Sequence, residues 1–410
     1  MAGVNIGNVG LTFTRYLDGV VESLNQMSKA RKLVRQDDQW TGDHIEGRLH
    51  TARSPSFGYL EDGSAFASPD KQDYVSYKAY RKFIGGSIQL TDGVMATASK
   101  SKNVARDVIT SEVEGLMNGM LKHENFAFFR DGTGIAATAT TTAAAAATTL
   151  YVDDARALWD KARFQVYTTT VLRGDLTVTS VASAPSLSGG VYRAVVTVPA
   201  LAMQVTAADV LYWNGSYGRA ITGLSSLIDN TATTFQNVAV GTYPRYSSLV
   251  LSNSSVKRDL TPTLFRQMMA GIKQKSGSES PTDGLTVLCN NWGAINVEEL
   301  YEGELRLTPE SKVAGLAVAS FQSAMGKVDI ITDSDAPYGK MFFVDFSKIY
   351  RAVQKQLAWR REPGSGAIFK RSDVAGVWTA TALEIAELYI KERHTSGRID
   401  DLNETPATMY

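Results

Sequence analysis

The sequence is poor in cysteine, and this scarcity limits its redox chemistry. Cys289 is the one cysteine among 410 residues, which excludes an internal disulfide. It ends the apolar run Leu285–Cys289, where a buried structural thiol is favoured over a reactive one. A chain without disulfides fits folding in a reducing cytoplasm.

The sequence also lacks an excess of charge of either sign. Lys plus Arg and Asp plus Glu number 42 each, and there are four histidines. A dedicated nucleic-acid binder usually carries a basic surplus, so this balance excludes that class. Any contact with DNA is expected to be local and non-specific.

Long hydrophobic runs are absent as well. No stretch approaches the roughly 18 apolar residues that span a membrane, and the opening residues 1–11 do not resemble a signal peptide. We therefore expect a soluble protein that is not exported by this route. At about 100–200 residues per domain, the chain is long enough for two to four domains.

The sequence motifs of catalysis are incomplete or missing. His44 and Glu46 have the H-x-E spacing of zinc deaminases, but the P-C-x-x-C that supplies the other ligands is absent. His123 and Glu124 do not begin a zinc-protease motif, because Ala127 stands where the second histidine is needed. Phosphate-binding glycine loops, a nucleophile elbow and an EF-hand loop are also absent. We expect no enzymatic activity, no cofactor and no metal.

Two weaker clusters have an ordinary structural interpretation. Four aspartates could bind a divalent cation, although carboxylates that flank strands are more often solvated loop charges. A glycine-containing loop with basic flanks could hold a phosphate, although a flexible loop is favoured. The residues concerned are Asp329, Asp333, Asp335 and Asp345, and Gly364–Gly366 with Arg360, Arg361, Lys370 and Arg371.

A long amphipathic helix is the clearest element that is present. The spacing of apolar residues predicts a helix over Ser101–Arg130, with Ser101 or Asn103 as its N-cap. It ends at Asp131–Gly134, where two glycines provide the backbone freedom that a helix C-terminus uses. The apolar positions are Ile109, Val113, Leu116, Met120 and Ala127. The charged residues fall mostly on the other, polar side: Arg106, Asp107, Glu114, Lys122 and Glu124.

Two segments before this helix have apolar surface that no neighbouring sequence covers. A second amphipathic helix is predicted over about Leu11–Arg35, and it must dock on a distant part of the chain or on another copy. Residues 48–89 predict a long hairpin, with strands Leu49–Tyr59 and Asp73–Phe83 and a turn-rich tip. Because a two-stranded hairpin alone is marginal in water, another subunit is a candidate to cover it.

The chain after the long helix changes character twice. The low-complexity stretch 137–149 is interpreted as a linker or irregular strand, and residues 150–217 as a small all-β barrel or sandwich. From about residue 248 to 366 helices and strands are mixed, including a predicted helix over Pro309–Met325. The stretch after Trp378 is long and apolar, and either a helix or a long strand fits it. Its Thr, Ile and Tyr residues and the alternation around Leu383–Ala386 favour a strand that returns to the domain of the long helix.

In this order the elements resemble the major capsid protein of tailed bacteriophages with the Hong Kong 97-type fold. The residues that carry the resemblance are the hairpin tip Glu61–Asp70, the helix with Asp131–Gly134, the returning segment from Gly223 to Asp229, and Ser396–Leu402. The resemblance covers most of the chain and rests on order and pattern.

The resemblance implies an α+β fold and a division of the chain into parts. The implied parts are an N-terminal arm (1–47), an E-loop hairpin (48–90), a P-domain with a spine helix (91–149), a β-rich insertion domain (150–222), an A-domain (223–372) and a return to the P-domain with the C-terminus (373–410).

The resemblance also implies a function without chemistry. Copies of the chain would form the hexamers and pentamers of an icosahedral head around double-stranded DNA, in the virion, after assembly in the host cytoplasm. Separate scaffolding, portal and decoration proteins are the expected partners, and covalent crosslinking is not predicted. Another phage structural protein is the alternative, ahead of a small-substrate enzyme. The residues expected at subunit contacts are Phe13, Leu17, Val21, Tyr59, Glu61, Asp62, Phe66, Lys71, Tyr74, Tyr77, Lys78 and Tyr80.

Overall fold

A computed structural model describes most of the chain from residue 32 onwards. The described residues are 32–66, 68–93, 104–181, 186–188, 191–276, 285–301, 311–313, 316–323, 326–361, 366, 368–371 and 376–404. Most of the predicted arm, with Phe13, Leu17 and Val21, lies outside them. Residues 32–33 are helical, as predicted, and the strand at Arg35–Asp37 shows that the helix ends about two residues before Arg35.

The described helices and strands alternate irregularly along the chain. In chain order they are β1 (Arg35–Asp37), β2 (His44–Ala52), β3 (Asp73–Tyr80), β4 (Lys82–Thr91), α1 (Val104–Phe129), β5 (Ile135–Thr138), β6 (Thr149–Val152), β7 (Arg163–Thr168), β8 (Val171–Thr177), β9 (Ser180–Val181), β10 (Ser186–Ser188), β11 (Val191–Thr197), β12 (Val210–Trp213), α2 (Leu224–Leu227), β13 (Thr234–Phe235), β14 (Val238–Ala239), β15 (Leu249–Leu251), α3 (Pro262–Ser276), β16 (Leu285–Cys289), α4 (Asn291–Tyr301), β17 (Ser311–Val313), β18 (Leu316–Ser323), β19 (Gly326–Thr332), β20 (Met341–Asp345), β21 (Ile349–Trp359), β22 (Lys370–Arg371), β23 (Val377–Ile390) and β24 (Gly397–Ile399).

The predicted long helix is confirmed as α1. Val113, Met117 and Leu121 are almost fully buried, and this four-residue spacing places them on one face of the helix. They pack in one cluster with residues of β4, β21 and β23. At the end of the helix, Gly132 and Gly134 have φ of +85° and +86°, conformations that glycine adopts without strain.

A five-stranded sheet lies under this helix. Its long strand β23 pairs antiparallel with β21 and β22 on one edge and with β4 on the other, and β1 adds parallel to β21. The prediction of a strand after Trp378 is therefore confirmed. The helix and this sheet form the frame from which the other parts extend.

A seven-stranded mixed sheet follows, in the order β15-β24-β20-β16-β19-β18-β17, with α3 packed on it. The helix predicted over Pro309–Met325 is wrong in its described part, which forms β17 and β18. Strand β18 pairs antiparallel with β19, with Ser323 opposite Gly326. Alanine and serine in this stretch are compatible with either state, and pairing with a neighbouring strand decides it.

The all-β region is confirmed and starts earlier in the chain than Leu150. Strands β5, β12, β7 and β8 form one sheet, and β6, β9, β10 and β11 a second. Both contribute to one apolar core, to which α1 adds Phe126. Of the two interpretations of residues 137–149, the irregular strand is confirmed and the linker is wrong, because Ala137, Ala139 and Ala143 are buried in that core and make strand or bridge pairs. We call residues 135–213 the insert.

The predicted hairpin is confirmed as β2 and β3, with His44 opposite Tyr80 and His50 opposite Tyr74. Residues 53–59, predicted as strand, are outside any strand. Pro55 cannot donate a ladder hydrogen bond and Gly58 weakens a strand, which explains the early end of the pairing. We call residues 53–72 the tip.

Candidate assembly interface

The base of the hairpin is fixed to its own subunit. Tyr77 is 6% exposed, and its ring lies 6.4 Å from that of Tyr389, centroid to centroid. Gly47 opposite leaves room for it, since a Cβ there would lie 2.2 Å from the Tyr77 ring. The N–H of Lys78 donates to the carbonyl of Gln236 at 2.8 Å. The hairpin therefore leaves the subunit in a defined direction.

The tip, by contrast, has large apolar side chains in solvent. Phe57 is 78% exposed, Phe66 88%, and Tyr59 109% relative to its reference state. Tyr74 and Tyr80 on β3 are each more than half exposed. Exposed aromatic side chains concentrated on one projection are typical of a protein interaction site.

Polar contacts hold the two limbs of the tip together without apolar packing. The Ser54 hydroxyl donates to the carbonyl of Asp70 at 2.9 Å, and the N–H of Asp70 donates to the Ser56 hydroxyl at 2.5 Å. Further out, the Ser64 hydroxyl donates to the carbonyl of Glu61 at 2.8 Å. The tip is thus a narrow closed loop whose apolar side chains are free to contact another molecule.

The structure divides the predicted contact residues into three groups. Exposed on the tip or β3 are Tyr59, Glu61, Asp62, Phe66, Lys71, Tyr74 and Tyr80. Tyr77 is buried in its own subunit, and the partly buried Lys78 lies 3.6 Å from Glu46, whose pKa it lowers. The arm residues are outside the described part. Sequence reasoning missed Phe57, Leu60 and Phe83, which are exposed apolar residues of the same hairpin region.

A buried ion cluster attaches α1 to the sheet beneath it. The Arg351 guanidinium donates from Nε and Nη2 to one Glu124 oxygen at 3.0 and 2.6 Å, and from Nη2 to Glu384 as well. All three side chains are at least nine-tenths buried. Glu124 was expected on the polar side of the helix, but its burial is balanced by this arginine.

A second cluster attaches the insert to the rest of the subunit. Arg130, at the end of α1, and Arg156 both donate to Asp154 Oδ2 at 2.6 Å. Burial raises the pKa of Asp154, but Arg156 and Arg130 more than offset this and keep it below its ordinary value. Arg156 also donates to the carbonyl of Ala336, next to the seven-stranded sheet.

The aspartates considered for cation binding serve structural roles. Asp333 and Asp345 are buried, so the interpretation as solvated loop charges is wrong for these two. Asn125 Nδ2 donates to Asp333 at 3.2 Å and to Asp335 at 2.6 Å, which ties α1 to the loop after β19. Asp345 accepts from the N–H and hydroxyl of Ser347.

The groups considered for chemistry are packed or dispersed. Across the described ranges, no three histidine, cysteine or acidic side chains are placed to share a metal ion. Burial lowers the pKa of His123 to about 4, and its ring packs edge-on against Trp213. Cys289 is fully buried, as predicted, and burial raises its pKa to about 12. Among the same described residues, no helix has the length and hydropathy needed to cross a bilayer.

Comparison with known proteins gives this geometry a context. Residues 204–372 match the family model of the SU10 major capsid protein. The capsid asymmetric unit of cyanophage A-1(L) is similar over 92% of both chains, with 11% identity and a TM-score of 0.54. No curated protein matches the sequence.

Two looser structural similarities were also found. The capsid of a native GTA particle covers 92% of this chain and 90% of its own, with 8% identity and a TM-score of 0.47. The capsid of Myoviridae phage XM1 covers 91% of both chains, with 7% identity and a TM-score of 0.44.

The family match and the fold support the same identification. The chain has the Hong Kong 97-like fold of phage capsid subunits, and its matched segment is that of a major capsid protein. These findings support a tailed-phage major capsid protein, a structural component of the head shell.

Proposed function

From this identification we propose that copies of the chain assemble, through the hairpin, into the hexamers and pentamers of an icosahedral head that encloses double-stranded DNA. The observation that carries the proposal is a hairpin fixed at its base and uncovered at its tip. In this proposal residues 48–90 act as the E-loop, and the arm with Phe13, Leu17 and Val21 contributes to the same contacts. In this proposal the P-domain and A-domain flank the insert, which takes the place of the β-rich insertion domain but begins at residue 135 and not at residue 150.

The energetics of the tip favour contact with another subunit. Transfer of one large apolar side chain from water into an interface contributes roughly 1.5–3 kcal/mol. Phe57, Tyr59 and Phe66 project from one loop, so one docking event would bury all three. A contact between a tip and a different surface of the next copy is heterologous, and such contacts close into rings when the rotation permits.

Further partners belong to the same proposal. We expect separate scaffolding, portal and decoration proteins, with assembly in the host cytoplasm. DNA inside the shell would contact local basic groups through its phosphates, so that this contact weakens as salt is added.

Assembly of the expressed chain tests the proposal. Negative-stain microscopy and light scattering, with and without a scaffold if one exists, should show capsomers or shells. A protein that remains monomeric under all these conditions would contradict it.

Two variants test the role of the tip. Deletion of Tyr59–Lys71 should leave a soluble subunit with an unchanged unfolding midpoint but no shells. The double variant Tyr59→Ser with Phe66→Ser should reduce the particle yield, because it removes apolar area without shortening the loop. The matched control is Val256→Ser with Ile295→Ser, which changes two exposed apolar residues elsewhere. Equal particle yields from the two pairs would exclude the tip as a contact.

A further inference from the structure

Carboxylates are concentrated at the tip of the hairpin. Glu61, Asp62, Asp70 and Asp73 are all exposed, and Arg53 and Lys71 are the cations of the same segment. The tip itself carries a net charge of 2 − 3 = −1, and with the adjoining Asp73 of β3 the charge is 2 − 4 = −2. We call the four acidic residues the tip carboxylates.

Cations are concentrated at one end of the five-stranded sheet. Arg360, Arg361, Lys370 and Arg371 are all exposed, and we call them the basic end. Asp92 lies 3.9 Å from Arg371. Residues 360–373 also include Glu362 and Asp373, so this stretch of the sequence carries a net charge of 4 − 2 = +2.

The topology of the sheet brings these four cations together. The N–H of Arg360 donates to the carbonyl of Thr381 at 2.8 Å, and Lys370 pairs with Thr379. Both contacts fall on the edge of β23 that faces away from β4. Arg360 and Lys370 therefore lie along the same edge of β23, and each has a second cation next to it in the sequence.

One extended run of the chain separates the two charged regions. It starts at Asp73 beside the tip, follows β3 and β4 with a break at Arg81, and ends at Thr91. At this end, Leu90 of β4 pairs with Trp378 of β23. On the other edge of β23, Trp378 pairs with Arg371 of the basic end. At about 3.3 Å per residue, an extended run of this length measures up to roughly 60 Å. Negative and positive charge therefore lie at opposite ends of one strand path.

We propose that the tip carboxylates of one copy dock on the basic end of a neighbouring copy. This rests on the proposed function and specifies the receiving surface. Carboxylates and arginine side chains form paired, charge-assisted hydrogen bonds, which fix orientation as well as attraction. Complementary charge also accelerates encounter and disfavours contacts between like ends, so it selects a head-to-tail order of subunits.

The phosphates of packaged DNA are the competing occupant of the basic end. A second copy is favoured because it accounts for both charged regions, whereas DNA would leave the tip carboxylates without a partner. The equal numbers of acidic and basic residues in the chain also fit charges that neutralise each other between copies.

A charge exchange tests the pairing on the full chain. We expect Glu61→Lys with Asp62→Lys to reduce the particle yield roughly tenfold or more, and Arg360→Glu with Lys370→Glu to do the same. The four substitutions together should restore the yield to within about threefold of the unmodified chain, because the attraction is re-formed with exchanged signs. Assembly of the unmodified chain should slow as NaCl is added.

The control is Glu298→Lys with Glu299→Lys, an exposed acidic pair on α4 with the same change in charge. It should assemble normally, and all variants should keep the unfolding midpoint of the unmodified subunit. Failure of the four-substitution chain to recover would overturn the pairing while the proposed function stands. Normal assembly of Arg360→Glu with Lys370→Glu, combined with loss of DNA retention, would instead assign the basic end to DNA. If the unmodified chain does not assemble, the proposed function itself fails.

Discussion

Single polar or charged residues, largely buried, connect the modules of this subunit. Glu124, Asn125 and Arg130 lie within two turns of α1, yet they bind the five-stranded sheet, the loop after β19 and the insert respectively. A buried charge is costly without its partner, so each of these contacts fixes a relative position rather than adding much net stability.

Arg351 provides a direct test of this role. Arg351→Met should lower the free energy of unfolding by about 3–5 kcal/mol, because it leaves Glu124 and Glu384 buried without their cation. Arg81→Met, which removes an exposed ion pair with Asp43, should cost less than about 1 kcal/mol. Urea denaturation of unassembled subunits measures both, and similar losses would contradict the account.

Glu387 predicts a pH dependence of stability. Burial raises its pKa from 4.5 to about 7, despite hydrogen bonds from the N–H groups of Thr222 and Leu388. The folded state holds this proton and the unfolded state releases it, so the stabilisation is complete below pH 4.5 and is lost as the pH rises through 7. The size of the loss is about 3 kcal/mol.

Glu387→Gln should remove this dependence. The free energy of unfolding is measured for the unmodified chain and for the variant at each pH. Between pH 4.5 and pH 8 the unmodified chain should lose about 3 kcal/mol relative to the variant. Glu298→Gln, at an exposed site, is the control and should show a constant difference. A constant difference for Glu387→Gln would mean that the carboxyl is ionised throughout.

Sequence reasoning at the residue scale succeeded for Cys289 and failed for buried charges. An apolar run around one thiol is a local signal for burial. By contrast, the partner of Glu124 is 227 positions away at Arg351, and Asp333 meets Asn125 over 208 positions. The sequence contains no local sign that such charges are paired, so solvation was the expectation for each.

At the scale of elements, glycines determine how α1 connects to the next part of the chain. A Cβ at Gly223 would lie 2.3 Å from the carbonyl oxygens of Ala127 and Arg130, so only glycine lets the returning chain contact the end of the helix. A Cβ at Gly134 would lie 2.3 Å from the carbonyl oxygen of Ser216. The chain therefore enters and leaves the insert side by side.

Gly63 and Gly134 both have positive φ, so a comparison of the two separates the cost of backbone strain from the cost of a steric contact. Gly134→Ala should destabilise the subunit by about 2 kcal/mol more than Gly63→Ala, because both have positive φ but only Gly134 is crowded. Thermal unfolding of both variants measures the difference. Equal shifts would show that the approach to Ser216 is not tight.

Periodicity predicted elements well where one pattern was strong. The long helix has a clear pattern and is confirmed. The strand after Trp378 is confirmed as well, although its pattern also fits a helix. The run of alanines at 137–149 and the stretch that forms β18 are rich in small residues, which fit a linker, a helix or a buried strand equally well. Their state is decided by neighbours that are distant in sequence, such as Val205 beside Ala143.

The whole molecule contains a module with its own core. Phe126 of α1 joins the apolar core of the insert, and His123 of α1 packs against Trp213 at its edge. The N–H of Gly218 donates to the carbonyl of Thr133 at 2.7 Å, where the two ends of the insert meet. Residues 133–218 expressed alone should therefore fold, with dispersed NMR spectra and cooperative unfolding. Their stability should increase if residues 126–132 are added, because Phe126 then fills its place. Random-coil spectra from both fragments would show that the insert depends on the rest of the subunit.

The order of elements predicted the architecture of the whole molecule, but the sequence did not predict which surfaces remain open. The exposure of Phe57 and the burial of Tyr77 on one hairpin follow from contacts with Gln236 and Tyr389, far along the chain. The basic end likewise exists because β21 and β22 return to one edge of β23.

Strand β24 has a consequence for synthesis on the ribosome. It comes after every other strand of the seven-stranded sheet in the chain, yet it lies inside the sheet between β15 and β20. Leu249–Leu251 and Met341–Phe343 can join only when Gly397–Ile399 has emerged between them. Chains fold from the N-terminus as they are made. A nascent chain can therefore already have an exposed tip while its seven-stranded sheet still lacks β24. Late closure of the sheet would thereby delay association until the subunit has its final shape.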